Sequence, residues 1–417
     1  MKILINGACL APPLTGIGHY TNHLIKGLEK HSAITGIDYF GLPVVSENRP
    51  DEPKQERQTT KQALLSRLGQ IYRIVRTIPG AKPGADWLYN KAKSYRLKPT
   101  VQQKKPQEPE KTNYDNHLYH ETNNVLTDFH TIVVDGNQTQ LPKLCITTIH
   151  DLSWVHYPQF HPEARVKYMN EGLQRTIEGS KHIITVSQFV KNEIVEMLGV
   201  PAEKITTVYN GVDGLFHPRD TETLLPVLQQ YGVTPHGYLL IVGSFEPRKN
   251  LLNLITAYSK LPQQVQLRYP LVHVGPPGWC NDAIEKAITP LLDQGKAKQL
   301  GYVSAEHLPF IQAGARGLAF PSWYEGFGLP IVEAMACGVP VLTSNRSSMA
   351  EVAGEAAILI EPDDVEAMTA GLKDLLTNDH LHQKLSKAGL KRASNFNWDR
   401  CVNETAAVYS KVLRDHE

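Results

Sequence analysis

Two short stretches carry side chains suited to chemistry on a charged, hydroxyl-rich ligand. In FEPRKN, Arg248 and Lys249 stand together just past the apolar run YLLIVGS and before the helical pattern LLNLITAY. An arginine fork engages two phosphate oxygens at once and a lysine adds a compact charge, so the pair suits a diphosphate; the plainer reading is a solvated charge pair at a turn. In FPSWYEGFGLPIVEAMAC, Glu325 and Glu333 bracket a glycine turn, with Pro330 suited to the first helical position beyond it. Gly326 and Gly328 free the backbone to aim the N–H groups of Phe327, Gly328 and Leu329 at a phosphate or sugar ring above the helix N-terminus. Glu325 on the loop and Glu333 in the helix's first turns would then accept hydrogen bonds from hydroxyl groups on either side. Taken singly, Glu333 could equally complement the helix dipole and Glu325 be a solvated loop acid.

Three further positions lie toward the N-terminus. Gly16 and Gly18, in GACLAPPLTGIGHY, permit a tight turn and close backbone approach before a helix expected from about His19. The missing third glycine rules out a dinucleotide-binding fingerprint. His150 and Asp151 follow the strand KLCITTI, although a lone histidine is more often a structural hydrogen-bonder than a catalyst. Ser187, ending HIITVS, reads as the cap of the helix FVKNEIVEML.

The elements that must position these residues follow one rhythm. Short β-rich runs (KILIN, KLCITTI, HIITVS, YLLIVGS, LVHVG, KQLGYV, GLAFPS, VPVLTS, AILI) alternate with amphipathic helical stretches, which predicts α/β architecture with parallel sheets flanked by helices. Length points the same way: 417 residues exceed one ordinary core. Two doubly wound domains are expected, residues 1–215 and 216–397, joined near Asn210–Arg219, with a last helix over about 398–417 crossing back to the first. Such sheets bind ligands beyond the carboxyl ends of their strands, where all the positions above fall.

Composition narrows the class. With 41% hydrophobic residues, 43 basic against 42 acidic side chains and a net charge of +1, the chain does not advertise a nucleic-acid binder. Five scattered cysteines without a C-x-x-C pair suit a reducing compartment, so a cytoplasmic location is expected. MKILINGACLAPP reads as a first strand rather than a signal peptide. One segment departs from the pattern, an insertion over about 54–112. Within it, Lys61 to Lys105 hold eleven Lys or Arg against the single acid Asp86. In KQALLSRLGQIYRIVRTI, Leu64, Leu65, Leu68, Ile71, Tyr72 and Val75 recur at helical spacing between Lys61, Arg67, Arg73 and Arg76, as in a basic helix lying on anionic lipid or packing on its own domain.

The motifs EGFGLPIVEAMACGVPV, GSFEPRKN, ITTVYNGVD and HDLSWVHYPQFHP, with the N-terminal glycine loop, together resemble retaining glycosyltransferase family 4, whose Glu-x7-Glu pattern is met by Glu325 and Glu333. The resemblance spans nearly the whole chain except Lys61–Thr112. It implies the GT-B fold, two Rossmann-like domains facing across a cleft, with the donor mainly on the second domain and the acceptor on the first. It implies that Arg248 and Lys249 bind the diphosphate of a nucleoside-diphosphate sugar, Glu325 the transferred sugar and Glu333 the ribose. His150 would lie near the reaction centre, Gly16 and Gly18 would approach the phosphates, and Val303, in LGYVS, would meet the base.

HDLSWVHYPQFHPEARVKY most resembles mannosyltransferases that build O-antigen and related polysaccharides, which implies mannose, GDP-mannose and a glycan or lipid-linked acceptor. The chain has no D-x-D motif of the kind that holds a metal against a diphosphate, so neither metal nor other cofactor is expected. A UDP-sugar transferase, a nucleotide-sugar epimerase or hydrolase, and a non-catalytic glycan-binding protein stay open as alternatives. The basic segment predicts peripheral contact with the inner face of an anionic membrane, with contact to a partner protein or subunit as the competing use. Co-sedimentation with liposomes should therefore occur with phosphatidylglycerol and vanish without it; equal binding to neutral vesicles, or none to either, rejects the contact.

Overall fold

The computed structural model describes residues 1–11, 14–41, 114, 116–126, 131–134, 137–140, 142–279 and 281–416, all within one compact unit. The basic segment Lys61–Lys105 and the helix expected in it lie outside the described residues.

In the first lobe, β1 (Lys2–Asn6), β2 (Gly36–Phe40) and β3 (His117–Glu121) precede a separate antiparallel hairpin of β4 (Thr131–Val134) and β5 (Asn137–Gln140). Then come β6 (Cys145–Ile149), β7 (His182–Thr185) and β8 (Ile205–Thr207), giving a parallel sheet in the order β2-β1-β3-β6-β7-β8. The second lobe is built from β9 (Leu239–Val242), β10 (Leu271–Val274), β11 (Ala297–Gly301), β12 (Gly317–Phe320), β13 (Val341–Ser344) and β14 (Ala357–Ile360). Its parallel order, β11-β10-β9-β12-β13-β14, reverses between β9 and β12. At such a reversal the connections leave to opposite faces of the sheet and open a crevice.

Strands such as LVHV, GLAF and VLTS are buried along their whole length because helices cover both faces of a parallel sheet. β3, which the sequence pattern does not reveal, is a polar exception. All five residues of HLYHE are buried, and the sheet accepts them because neighbours supply partners. His120 bonds Tyr409 Oη at 2.6 Å and Thr148 Oγ1 at 2.7 Å. Glu121 accepts from Tyr119 Oη at 2.6 Å, Asn6 Nδ2 at 3.0 Å and the N–H of Asn123 at 3.0 Å. Ser187 does cap its helix, Gln188–Leu198, accepting from the N–H of Val190 at 3.2 Å.

The last helix, Trp398–Arg414, starts at Asn397, whose Oδ1 accepts from the N–H of Arg400. It buries Val402, Ala406, Tyr409 and Val412 with Ile3, Ile5, Leu24 and Leu28 of the first lobe. The chain thus crosses between lobes twice, side by side. Val212 N–H donates to Phe396 O at 3.1 Å, and a Cβ on Gly211 would stand 2.3 Å from the Trp398 nitrogen, so only glycine fits there. Among the described residues no helix is long and apolar enough to cross a membrane.

Candidate functional site

Because β9 and β12 flank the reversal, the segments that follow them converge although about seventy residues apart. A 3-10 turn over Pro247–Lys249 and left-handed Asn250 (φ 58°) present the two cations. Asn250 Nδ2 donates to Pro321 O at 3.1 Å, and Trp323 N–H to Arg248 O at 2.9 Å, tying the two loops together. Lys249 Nζ donates to Glu325 Oε1 at 2.7 Å and Arg248 Nη1 to Glu325 Oε2 at 2.9 Å. Arg248 also donates from Nη1 to Tyr324 O at 2.8 Å and from Nη2 to Glu246 Oε1 at 2.9 Å. Glu246, not singled out in the sequence although it belongs to FEPRKN, is 2% exposed and completes a set of two cations and two carboxylates.

Burial alone would raise the Glu325 pKa, but Arg248 and Lys249 more than reverse this and hold it at about 2. Its folded pKa lies below the unfolded value, so its stabilising contribution is present above about pH 4.5 and lost as pH falls toward 2. Burial likewise opposes the Arg248 charge, and the carboxylates of Glu325, Glu246 and Asp151 outweigh it, raising that pKa. Glu333 behaves oppositely. Burial, with a smaller contribution from the charge of Asp213, lifts its carboxyl to about 7, against the bond that Oε2 accepts from Gln312 Nε2 at 2.7 Å. The two motif acids therefore differ chemically: one is pinned as an anion, the other is poised near neutrality.

Gly328, at φ +95°, turns the chain into the helix Leu329–Ala336, with Pro330 at its second rather than first position. Among the described residues the N–H groups of Phe327, Gly328 and Leu329 have no acceptor. Phe327 itself packs edge-on against Phe396 at 5.6 Å, so only its backbone faces a ligand. Ser347 Oγ accepts from the Glu325 N–H at 3.1 Å and Ser348 Oγ donates to its carbonyl at 2.7 Å, fixing the loop from below.

Across the cleft, His150 follows β6. Its backbone N–H donates to Asn124 Oδ1 and Nε2–H to Thr122 O at 2.9 Å, which leaves Nδ1 as the unprotonated nitrogen. Burial pushes its pKa down to about 4, so the ring is neutral at pH 7. The Glu325 loop meets it directly: a Cβ on Gly326 would lie 1.7 Å from the His150 carbonyl oxygen. Tyr324 continues the contact, its hydroxyl accepting from Leu152 N–H at 3.1 Å and donating to Glu193 Oε2 at 2.5 Å. His156 Nε2 lies 2.6 Å from Glu193 Oε1. Glu351 of the second lobe accepts from the N–H groups of both Gln188 and Phe189, each at 2.8 Å, at the start of the helix that carries Glu193. Sequence spacing gives no sign of Glu193, His156 or Glu351, and Tyr324 shows there only as the neighbour of Glu325.

Three expected positions fall less directly. The first-lobe helix starts at Gly16, three residues before His19. A Cβ on Gly18 would stand 2.5 Å from Cys9 O, so that glycine serves the loop's own packing, whereas Gly16 faces open space. The Val303 side chain is buried in the second-lobe core, which leaves its backbone for any contact with a base. Among the described residues no cluster of three His, Cys, Asp or Glu could hold a metal. Since Gly326 has no room for a methyl, Gly326→Ala should push the loop from His150 and cut kcat/KM by at least about tenfold, about 1.4 kcal/mol of barrier. Steady-state kinetics check this; undiminished kcat/KM would contradict the closeness of the two loops.

Comparison with known proteins bears on what this site belongs to. Residues 231–392 match the family "Glycosyl transferases group 1" and residues 130–214 "Glycosyltransferase Family 4". The chain is 33% identical over 410 residues to the O-antigen chain mannosyltransferase B of Escherichia coli, covering 98% of this chain and 99% of that one. Among solved structures it superposes on sucrose-phosphate synthase from Thermosynechococcus elongatus with a TM-score of 0.66 at 17% identity, covering 100% of both chains. It also superposes on WaaG, a glycosyltransferase involved in lipopolysaccharide biosynthesis, with a TM-score of 0.63 at 13% identity, covering 98% of this chain and 99% of that one. With two parallel sheets of the GT-B type and a full-length relative of this identity, the chain belongs to the group 1, family 4 glycosyltransferases and is a hexosyltransferase.

Proposed function

We propose that the chain moves mannose, with retention, from GDP-mannose to a glycan or lipid-linked oligosaccharide in cell-surface polysaccharide synthesis. The observation that carries this reading is the sharing of Glu325 between Arg248 and Lys249 beside free N–H groups at a helix start. The choice of mannose is supported by the name of the Escherichia coli relative. A diphosphate entering the crevice draws the two cations onto its oxygens, and Glu325 is released to accept hydrogen bonds from the hexose hydroxyls. As the glycosidic bond breaks, charge grows on the β-phosphate oxygen, and Arg248 and Lys249 stabilise it in place of a metal ion. Glu333 accepts from the ribose hydroxyls, His150 stands at the reacting sugar, and the acceptor attacks from the face the nucleotide leaves. The basic segment Lys61–Lys105 brings the enzyme to the cytoplasmic face of the membrane, where a lipid-linked acceptor is presented.

Two measurements test this. Replacing both Arg248 and Lys249 with Ala should lower kcat/KM by about 10³-fold or more, the scale seen when fixed charge stabilisation is removed, while EDTA leaves the native enzyme unaffected. Unchanged transfer in the double variant, or inhibition by EDTA, overturns the metal-free clamp. Because Glu333 must shed a proton to receive two hydroxyl donors and its pKa is near 7, donor KM should rise as pH falls from 8 to 6. Glu333→Gln should show a high and flat KM across that range; a profile parallel to the native one would remove Glu333 from donor binding.

A further inference from the structure

His161, the last histidine of HDLSWVHYPQFHP, is 9% exposed, and neither ring nitrogen has a hydrogen-bond partner among the described residues. A buried imidazole left so carries the full desolvation penalty of each unmet polar group. Two more buried polar atoms share the condition, Glu246 Oε2 and Arg248 Nε, both on second-lobe residues whose charges bear on the His161 ring. The loops that carry them are tied together. Trp279 Nε1 donates to Phe160 O at 2.6 Å, and the indole lies 6.2 Å from the His161 ring with the Arg165 guanidinium 5.8 Å from its centre. On the other side, Phe245 bridges Pro277, and a Cβ on Gly278 would stand 3.1 Å from Glu246 Cβ. Burial lowers the His161 pKa, with Arg165 and Arg248 adding to the effect against Asp151 and Glu246. The ring is therefore neutral, with one N–H donor and one acceptor nitrogen.

From these unmet groups we infer that His161, Glu246 Oε2 and Arg248 Nε form a carbohydrate subsite between the lobes, beside the diphosphate clamp. The mixture decides the ligand class. Arg248 Nε would suit a phosphate, but the Glu246 carboxylate repels one and needs a donor, while His161 offers one of each. Sugar hydroxyls, which donate and accept, satisfy all three; a phosphate or an apolar aglycone does not. The inference rests on the glycosyltransferase reading of the cleft and names a hexose contact that the Glu-x7-Glu and Arg-Lys motifs do not include. The hexose comes either from the donor or from the acceptor terminus.

Calorimetric titration of the full-length enzyme separates the cases, using GDP, GDP-mannose, and, with GDP present, octyl α-D-mannoside, octyl α-D-glucoside and octyl α-D-galactoside. His161→Leu should keep GDP affinity within about threefold and weaken a hexose-bearing ligand at least tenfold. Weakening of GDP-mannose alone assigns the donor sugar; weakening of an octyl hexoside assigns the acceptor. Because Leu removes unpaired polar atoms, its Tm should equal or exceed the native value, which a merely structural histidine would not permit. His161→Asn, which keeps a donor and an acceptor, should restore part of the hexose affinity. Native hexose affinities in the Leu variant, or a Tm that falls with every ligand equally weakened, overturn the subsite. Failure of the native enzyme to bind GDP would instead sink the nucleotide reading, and the octyl hexosides titrated alone would still test His161.

Discussion

Glu325 divides its two oxygens between Arg248 and Lys249 in a site nearly shut off from water, and much of the surrounding structure follows from what this requires. Breaking a buried ion pair by removing one partner typically costs about 3–5 kcal/mol, so loops bearing such groups cannot drift. Asn250, Trp323, Ser347 and Ser348 hold those loops through backbone hydrogen bonds, and Gly328 supplies the left-handed turn that ends one of them. The charge set also has a chemical direction. A diphosphate carries more charge than one carboxylate, so in the proposed complex it draws both cations, and the freed Glu325 carboxylate is met by hydrogen bonds from the hexose hydroxyls.

The same loop is the contact through which the second lobe reaches the first. Gly326 lies against the His150 carbonyl and Tyr324 inserts its hydroxyl between Leu152 and Glu193, so the residues on either side of Glu325 register the second lobe against the first. Glu351 reinforces that register from a second loop by capping the Gln188–Leu198 helix. A glycine at position 326 is thus a matter of clearance rather than of an unusual backbone angle. His161 belongs to the same seam, where groups from both lobes are buried together with polar capacity to spare.

Much of the fold was legible because its strands are apolar runs at the expected spacing, and the functional weight of the Arg248–Lys249 turn and the Glu325 loop was legible because both follow strands. β3 was not, since HLYHE shows no apolar run; its burial depends on partners such as Tyr409, 289 residues away from His120. The sequence separates the two motif glutamates by position, one on the loop and one in the helix, but not by ionisation, which depends on the surroundings: two cations beside Glu325, one glutamine amide beside Glu333. Gly16 and Gly18 looked alike for the same reason, until the Cys9 carbonyl showed which was needed for packing. Glu193, Glu351 and His161 act through tertiary neighbours, and no local spacing announces them.

The central claim is that a nucleotide's diphosphate takes the place of Glu325 on the two cations. A crystal structure of the complex with GDP tests it most directly. The account predicts phosphate oxygens about 2.7–2.9 Å from Arg248 and Lys249, with Glu325 no longer bridging them. A diphosphate bound elsewhere while Glu325 keeps both cations would contradict it.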